Sequence, residues 1–128
     1  YTKIKPSKLN LINIKIGIDA LKKINAHNHV QGLIVRNRKI ISRETIKGTK
    51  KMIQSIKKDK NNPGILIKFP KKKQDIRADL PTIGLETLKD CSKSGVNGIV
   101  LKSKQNIFLD RNKSINYANK KKIFIKVV

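Results

Sequence analysis

From Leu11 to Asn25 the apolar residues Leu11, Ile14, Ile18, Leu21 and Ile24 recur at close to helical spacing, which predicts a helix with one buried face. Residues 1–10 are polar, contain Pro6, and read as a linker or the exit from a preceding domain. After His27-Asn28-His29 the period changes. Val30-Gln31-Gly32-Leu33-Ile34-Val35, the polar Arg36-Asn37-Arg38-Lys39 and then Ile40-Ile41 read as strand, turn and strand, a hairpin.

Helical register returns with Ile46, Met52, Ile53 and Ile56 around Gly48-Thr49, and Asn61-Asn62-Pro63-Gly64 supplies the stop. Ile65-Leu66-Ile67 is a short continuous apolar run, the signature of a strand buried on both faces. No period is sustained from Phe69 to Gly84, which predicts a long loop, and long loops in compact domains are more often functional than filler. Thr82 or a neighbour then caps a helix carrying Leu85, Leu88 and Cys91 and ending near Gly95. Ile99-Val100-Leu101 and Ile107-Phe108-Leu109 read as strands. Asp110 is placed to cap a helix to about Asn119 with Ile115 and Ala118 inward, and Ile123-Phe124-Ile125 reads as a last strand. Strands and helices alternate after residue 30, which predicts an α/β fold, a mixed sheet packed with helices.

Composition narrows the function classes. The 128 residues suit one domain or half of a two-domain protein, and 21 isoleucines supply a core without staples. The one cysteine, Cys91, excludes a disulfide framework within the chain, and its place on the inner face of a helix marks it as a buried thiol. This cysteine usage and the lack of any apolar run of membrane-spanning length favour a cytoplasmic protein. The net charge is +23, with 31 Lys and Arg against 8 Asp and Glu. Lys, Ile and Asn all have A/T-rich codons, so a lysine coat can arise from codon bias. Five Arg, five aromatic residues and no Trp make a poor toolkit for reading or stacking bases. A dedicated nucleic-acid module is therefore the lesser reading, although the field attracts anions of any kind.

The chemistry concentrates between Lys68 and Gly84. Asp75 and Asp79 stand four apart, with Arg77 between them and Lys68, Lys71, Lys72 and Lys73 before them. Carboxylate oxygens can hold a divalent cation while Arg and Lys grip phosphate. The same residues can equally form a salt-bridged loop. His27 and His29, in a polar link with no acidic neighbour, read as surface residues.

This stretch resembles the signature of the LpxI-type UDP-2,3-diacylglucosamine pyrophosphatases. The residues that carry the likeness are Gln74-Asp75, Arg77 and Asp79-Leu80-Pro81-Thr82-Ile83-Gly84. Lys68, Lys71, Gln31, Glu44 with Gly48-Thr49 and Met52, Ile107-Phe108-Leu109-Asp110-Arg111 and Ile123-Phe124-Ile125 extend it from about Gly17 to Val128. Family members are roughly twice this long, so the likeness is to their C-terminal catalytic domain, here residues 11–128, with residues 1–10 leaving a missing N-terminal domain.

The resemblance implies hydrolysis of the pyrophosphate of UDP-2,3-diacylglucosamine to UMP and 2,3-diacylglucosamine 1-phosphate in lipid A biosynthesis. It implies a divalent metal, typically Mg2+, and a cytoplasmic enzyme peripheral to the inner membrane, with a homodimer among the assemblies open to it. By the same resemblance Asp79 and Asp75 are the expected catalytic and metal-binding carboxylates, joined by Glu44 as a metal ligand. Lys68, Lys71, Gln74, Arg77, Gly48 and Thr49 are expected to bind substrate, with Thr82 and Gly84 presenting a helix N-terminus to the diphosphate. The family's Glu-Gly-Thr-Asp reads here Lys47-Gly48-Thr49-Lys50, and its Asp-Val-Gly-Gln reads Asn28-His29-Val30-Gln31. Lys72-Lys73 stands where Pro-Gly is expected. The three lost acids leave a second expectation, a member that binds ligand without turning it over.

Overall fold

The computed structural model describes residues 2–25, 32–45, 47–59, 61–69, 82–102, 107–108 and 110–128. Helix α1 (Lys8–Asn25) precedes the hairpin β1 (Gly32–Arg36) and β2 (Lys39–Arg43), and a short α2 (Thr49–Gln54) leads into β3 (Gly64–Lys68). Two further units follow, β4 (Thr82–Ile83) with α3 (Leu85–Ser94) into β5 (Val96–Leu101), and β6 (Ile107–Phe108) with α4 (Arg111–Lys120) into β7 (Phe124–Val127). The main sheet has the order β2-β1-β3-β5-β7, and β4 pairs with β6 in a small parallel sheet of its own. Strands β3, β5 and β7 are parallel, whereas β1 runs antiparallel to both β2 and β3. The mixed α/β architecture read from the sequence is the architecture found.

Alternation along the strands divides the core. Leu33, Val35, Ile65, Ile67, Val100 and Phe124 pack with Ile14 and Leu21 of α1 on one face. Ile34, Leu66, Ile99 and Ile125 pack on the other with Met52, Leu88, Cys91 and Ala118 from the remaining helices. Each inner strand therefore buries successive side chains into opposite layers, which is why β3 reads as an unbroken apolar run. Two glycines make room for neighbouring side chains, Gly17 where α1 meets the sheet and Gly98 beside a ring on the adjacent strand β7. A Cβ on Gly17 would lie 2.0 Å from Ile67 Cδ1, and one on Gly98 would lie 2.1 Å from the Phe124 ring, so both positions admit only hydrogen.

Several expectations move in detail. Helix α1 begins at Lys8, and Leu11, expected on its buried face, is exposed. The burying ridge is Ile14, Gly17 and Leu21, one helical face, and Leu11 falls beside it. Helix α2 ends at Gln54, so Ile56 packs from beyond it. Thr82 and Ile83, expected in the long loop, form β4, and of Thr82 and its neighbours it is Gly84 that stands at the cap of the helix that follows. In α4 the fully buried pair is Ser114 and Ala118, four residues apart, with Ile115 half-buried. Asp110 is the N-cap of α4, but at φ +45° its side chain makes no capping hydrogen bond. Cys91 is buried as expected, and burial pushes its thiol well above the usual range.

The segment before α1 is docked. The Ile125 N–H donates to Thr2 Oγ1 at 3.1 Å, and the Lys3 N–H donates to Asn119 Oδ1 at 2.8 Å, so residues 2 and 3 tie onto the edge strand β7 and the end of α4. Among the described residues no helix is long and apolar enough to cross a membrane.

Candidate functional site

The parallel strands β3 and β5 end at Lys68 and Leu101, and α3 and α4 start from that same end of the sheet by their connectivity. In open α/β sheets this carboxyl end is where ligands bind. Lys68 is the last residue of β3, paired in register with Gly32 on one side and Leu101 on the other. Alternation turns it to the same face as Leu66, and it is 6% exposed.

Two further polar residues are brought to that buried ammonium. Glu44 follows β2 and continues its pairing by one residue, its N–H donating to the Gly32 carbonyl at 2.9 Å. That bond carries the Glu44 carboxylate under the sheet's end, where it is also buried. The chain then reverses through Thr45 to Gly48, with the Gly48 N–H donating to Thr45 O at 3.0 Å. Gly48 has φ +92°, a conformation that a side chain would resist, and this places Thr49 at the first position of α2. Thr49 Oγ1 donates to Glu44 Oε1 and accepts from Lys68 Nζ. Lys68 Nζ stands 3.7 Å from Glu44 Oε1, an ion pair rather than a direct hydrogen bond. Thr49 is thus the hydrogen-bonded link between two buried opposite charges.

Burial lowers the Lys68 pKa from its ordinary value, and the Glu44 carboxylate opposes that shift. The ammonium has three N–H donors, of which Thr49 takes one. The cluster can therefore present a fixed positive charge to an anion. Glu44 suits a divalent metal less well, because a cation on Oε1 would stand against the Lys68 ammonium. Among the described residues no group of three or more His, Cys, Asp or Glu is arranged to hold a metal ion.

Of the remaining expected site residues, Gly84 is buried and caps α3 in extended backbone, with no side chain of its own to make a capping hydrogen bond. The backbone of Thr82 lies in β4, two residues before that cap. Lys47 and Lys50, in place of family acids, are exposed on either side of Gly48 and Thr49. Gln31, Lys71, Gln74, Asp75, Arg77 and Asp79 lie outside the described residues, as do His27 and His29.

Sequence reasoning singled out Glu44, Thr49 and Lys68 separately and missed that they touch. It also passed over Lys102, whose ammonium lies 5.5 Å from the centre of the buried Phe69 ring. The signal was positional, since Lys102 follows Ile99-Val100-Leu101 as Lys68 follows Ile65-Leu66-Ile67.

The family model of the LpxI C-terminal domain matches residues 1–126. The chain is similar to the UDP-2,3-diacylglucosamine pyrophosphatase LpxI of Caulobacter vibrioides, with 27% identity over 131 residues. That match covers 96% of this chain and 47% of the relative, so the chain spans about half the relative's length. With nearly the whole chain matched by the domain model, this protein belongs to the LpxI family through its C-terminal domain.

Proposed function

We propose that this domain supplies the phosphate-binding and water-activating half of an enzyme that hydrolyses the pyrophosphate of UDP-2,3-diacylglucosamine in lipid A biosynthesis. UMP and 2,3-diacylglucosamine 1-phosphate are the products. The observation that carries the reading is the buried Glu44–Thr49–Lys68 cluster at the carboxyl end of β3, six residues before Gln74-Asp75 in a chain of this family.

Attack on a phosphorus whose oxygens are already negative requires charge neutralisation and positioning above all. Lys68, held by Thr49 and balanced by Glu44, offers a cation whose position is set before substrate arrives. Lys71 and Arg77 are assigned to the phosphate oxygens, and Gln74 to substrate. Asp79 positions the attacking water and accepts its proton, with Asp75 as its partner. Gly48-Thr49 shapes the cradle, and the α3 N-terminus behind Thr82 and Gly84 faces the diphosphate.

Magnesium is proposed on the resemblance, with Asp79 and Asp75 as its ligands, and it would supply Lewis-acid polarisation of a phosphoryl oxygen. The described residues do not by themselves fit that ion, and Glu44 is reassigned from metal ligand to partner of Lys68. Inner-membrane contact from the cytoplasmic side, and pairing with a second copy, belong to the same proposal.

The test is Asp79→Ala in the intact protein. UMP release from UDP-2,3-diacylglucosamine should fall by at least ~100-fold, the scale of a lost general base, while the thermal midpoint stays nearly unchanged. Unfolding by this substitution would support a salt-bridged loop instead. Lys47 and Lys50 favour a second reading, a ligand-binding member without turnover. Tight binding of the substrate with no UMP release from the unmodified protein would establish it.

A further inference from the structure

Two adjacent parallel strands run out into lysine at the same end of the sheet. Lys68 is the last residue of β3 and pairs in register with Leu101, the last residue of β5, so Lys102 stands one residue further out beside it. The two side chains leave on opposite sides of that end. Lys68 follows Leu66 to the face where α2 packs, whereas Lys102 follows Val100 to the face that α1 covers. There its ammonium lies 5.5 Å from the centre of the Phe69 ring, and Phe69 is itself buried in the α1 layer. The backbone is tied as well. The Val128 N–H donates to the Leu101 carbonyl at 2.9 Å, which holds the strand end from which Lys102 departs. On the other side of Lys68 its register partner is Gly32, which adds no side chain to this end.

We propose that Lys102 is a second phosphate-holding residue of the site, meeting a diphosphate from the α1 side of the sheet's end while Lys68 meets it from the other. The two cations are balanced differently. Lys68 stands 3.7 Å from Glu44, so that buried pair is neutral as a unit and orients an anion more than it offsets its charge. An aromatic ring restricts where the Lys102 ammonium lies, yet it carries no net charge to set against it, and Lys102 is exposed where Lys68 is buried. A diphosphate brings two charged groups in one ligand, and a neutral pair cannot offset both. A second cation is needed. The backbones of adjacent strands run about 4.8 Å apart, so lysines leaving neighbouring strand ends on opposite sides straddle one ligand seated between them. That the diphosphate is the one in UDP-2,3-diacylglucosamine rests on the proposed function; the two-sided hold does not.

Titration calorimetry of the intact protein with UDP, at physiological salt, tests it. Lys102→Met should weaken UDP at least ~10-fold, the scale of one lost charge-assisted hydrogen bond to phosphate. Lys102→Arg should stay within ~3-fold of the unmodified protein, because a guanidinium also rests on a ring and grips phosphate. The matched control is Lys121→Met. Its ammonium lies 5.9 Å from the centre of the Tyr117 ring just past the end of α4, so this variant removes the same charge and the same kind of contact away from the site and should shift UDP less than ~2-fold. UDP affinity unchanged in Lys102→Met would overturn the proposal. So would an equal loss in Lys121→Met, which would show that UDP reads the lysine coat, or a Lys102→Arg variant as weak as Lys102→Met. An unmodified protein that does not take up UDP would overturn it too. UDP binding that depends on Lys102 in a protein releasing no UMP would sink the hydrolase reading and leave this one standing. Turnover of UDP-2,3-diacylglucosamine with a KM indifferent to Lys102→Met would do the reverse.

Discussion

Strand β3 carries two kinds of burial within five residues. Ile65, Leu66 and Ile67 are wholly excluded from water among other apolar side chains, and each contributes by leaving water, on the order of 1.5–3 kcal/mol. Lys68, one residue further on, is almost as buried and pays for it, since an ammonium leaves water at a cost that only its partners return. Its partners come from two other places in the chain, Glu44 after β2 and Thr49 at the start of α2. The middle of the sheet thus holds the fold together. Its carboxyl end carries a charge arrangement that a chain selected for stability alone would replace with leucine.

The largest break in this contrast should come from splitting the cluster. Glu44→Ala leaves Lys68 buried beside a lone hydroxyl and should cost about 3–5 kcal/mol in urea unfolding. Replacing both charges together, Glu44→Gln with Lys68→Met, should cost within about 1 kcal/mol, because the new amide still accepts from Thr49 and the thioether fills the stem's volume. Equal losses in the two variants would mean that the charges stabilise the fold directly and would erase the contrast.

A smaller effect follows from pH. The Lys68 pKa is lowered in the folded protein, so between that value and the ordinary 10.5 the unfolded chain binds the proton more tightly. Stability from this residue therefore rises as pH climbs through that window, and the full penalty of the buried charge is felt below it. Subtracting the stability–pH curve of the Glu44→Gln, Lys68→Met variant from that of the unmodified protein should show this rise on the alkaline side. A flat difference would mean that Lys68 titrates as an exposed lysine.

The legibility of the sequence follows the same division. β3, β5 and β7 were readable because burial on both faces demands unbroken apolar runs such as Ile65-Leu66-Ile67. Residues placed by contacts distant in the chain were not. Leu11 fits the helical period yet is exposed, since the rotation of α1 is set where Gly17 meets Ile67. Thr82-Ile83 became a strand only because Ile107-Phe108 comes alongside to pair with it. Asp110 has the right chemistry for a cap, but its left-handed backbone turns the carboxylate away from that role. At the site, the family resemblance named Glu44, Thr49 and Lys68, but their contact depends on the glycine reversal at Gly48 and on the pairing of β1 with β3. The glycine itself is legible, but the strand pairing has no local signal in the sequence.

The central claim is that the buried charges at the end of β3 are kept for chemistry rather than for stability. The direct measurement is UMP release from UDP-2,3-diacylglucosamine by the intact protein carrying Glu44→Gln and Lys68→Met, at a pH and temperature where that variant is fully folded. The account predicts a loss of at least ~100-fold in kcat/KM, the scale of a removed charge stabiliser at a phosphoryl centre. Turnover within a few-fold of the unmodified protein would contradict it.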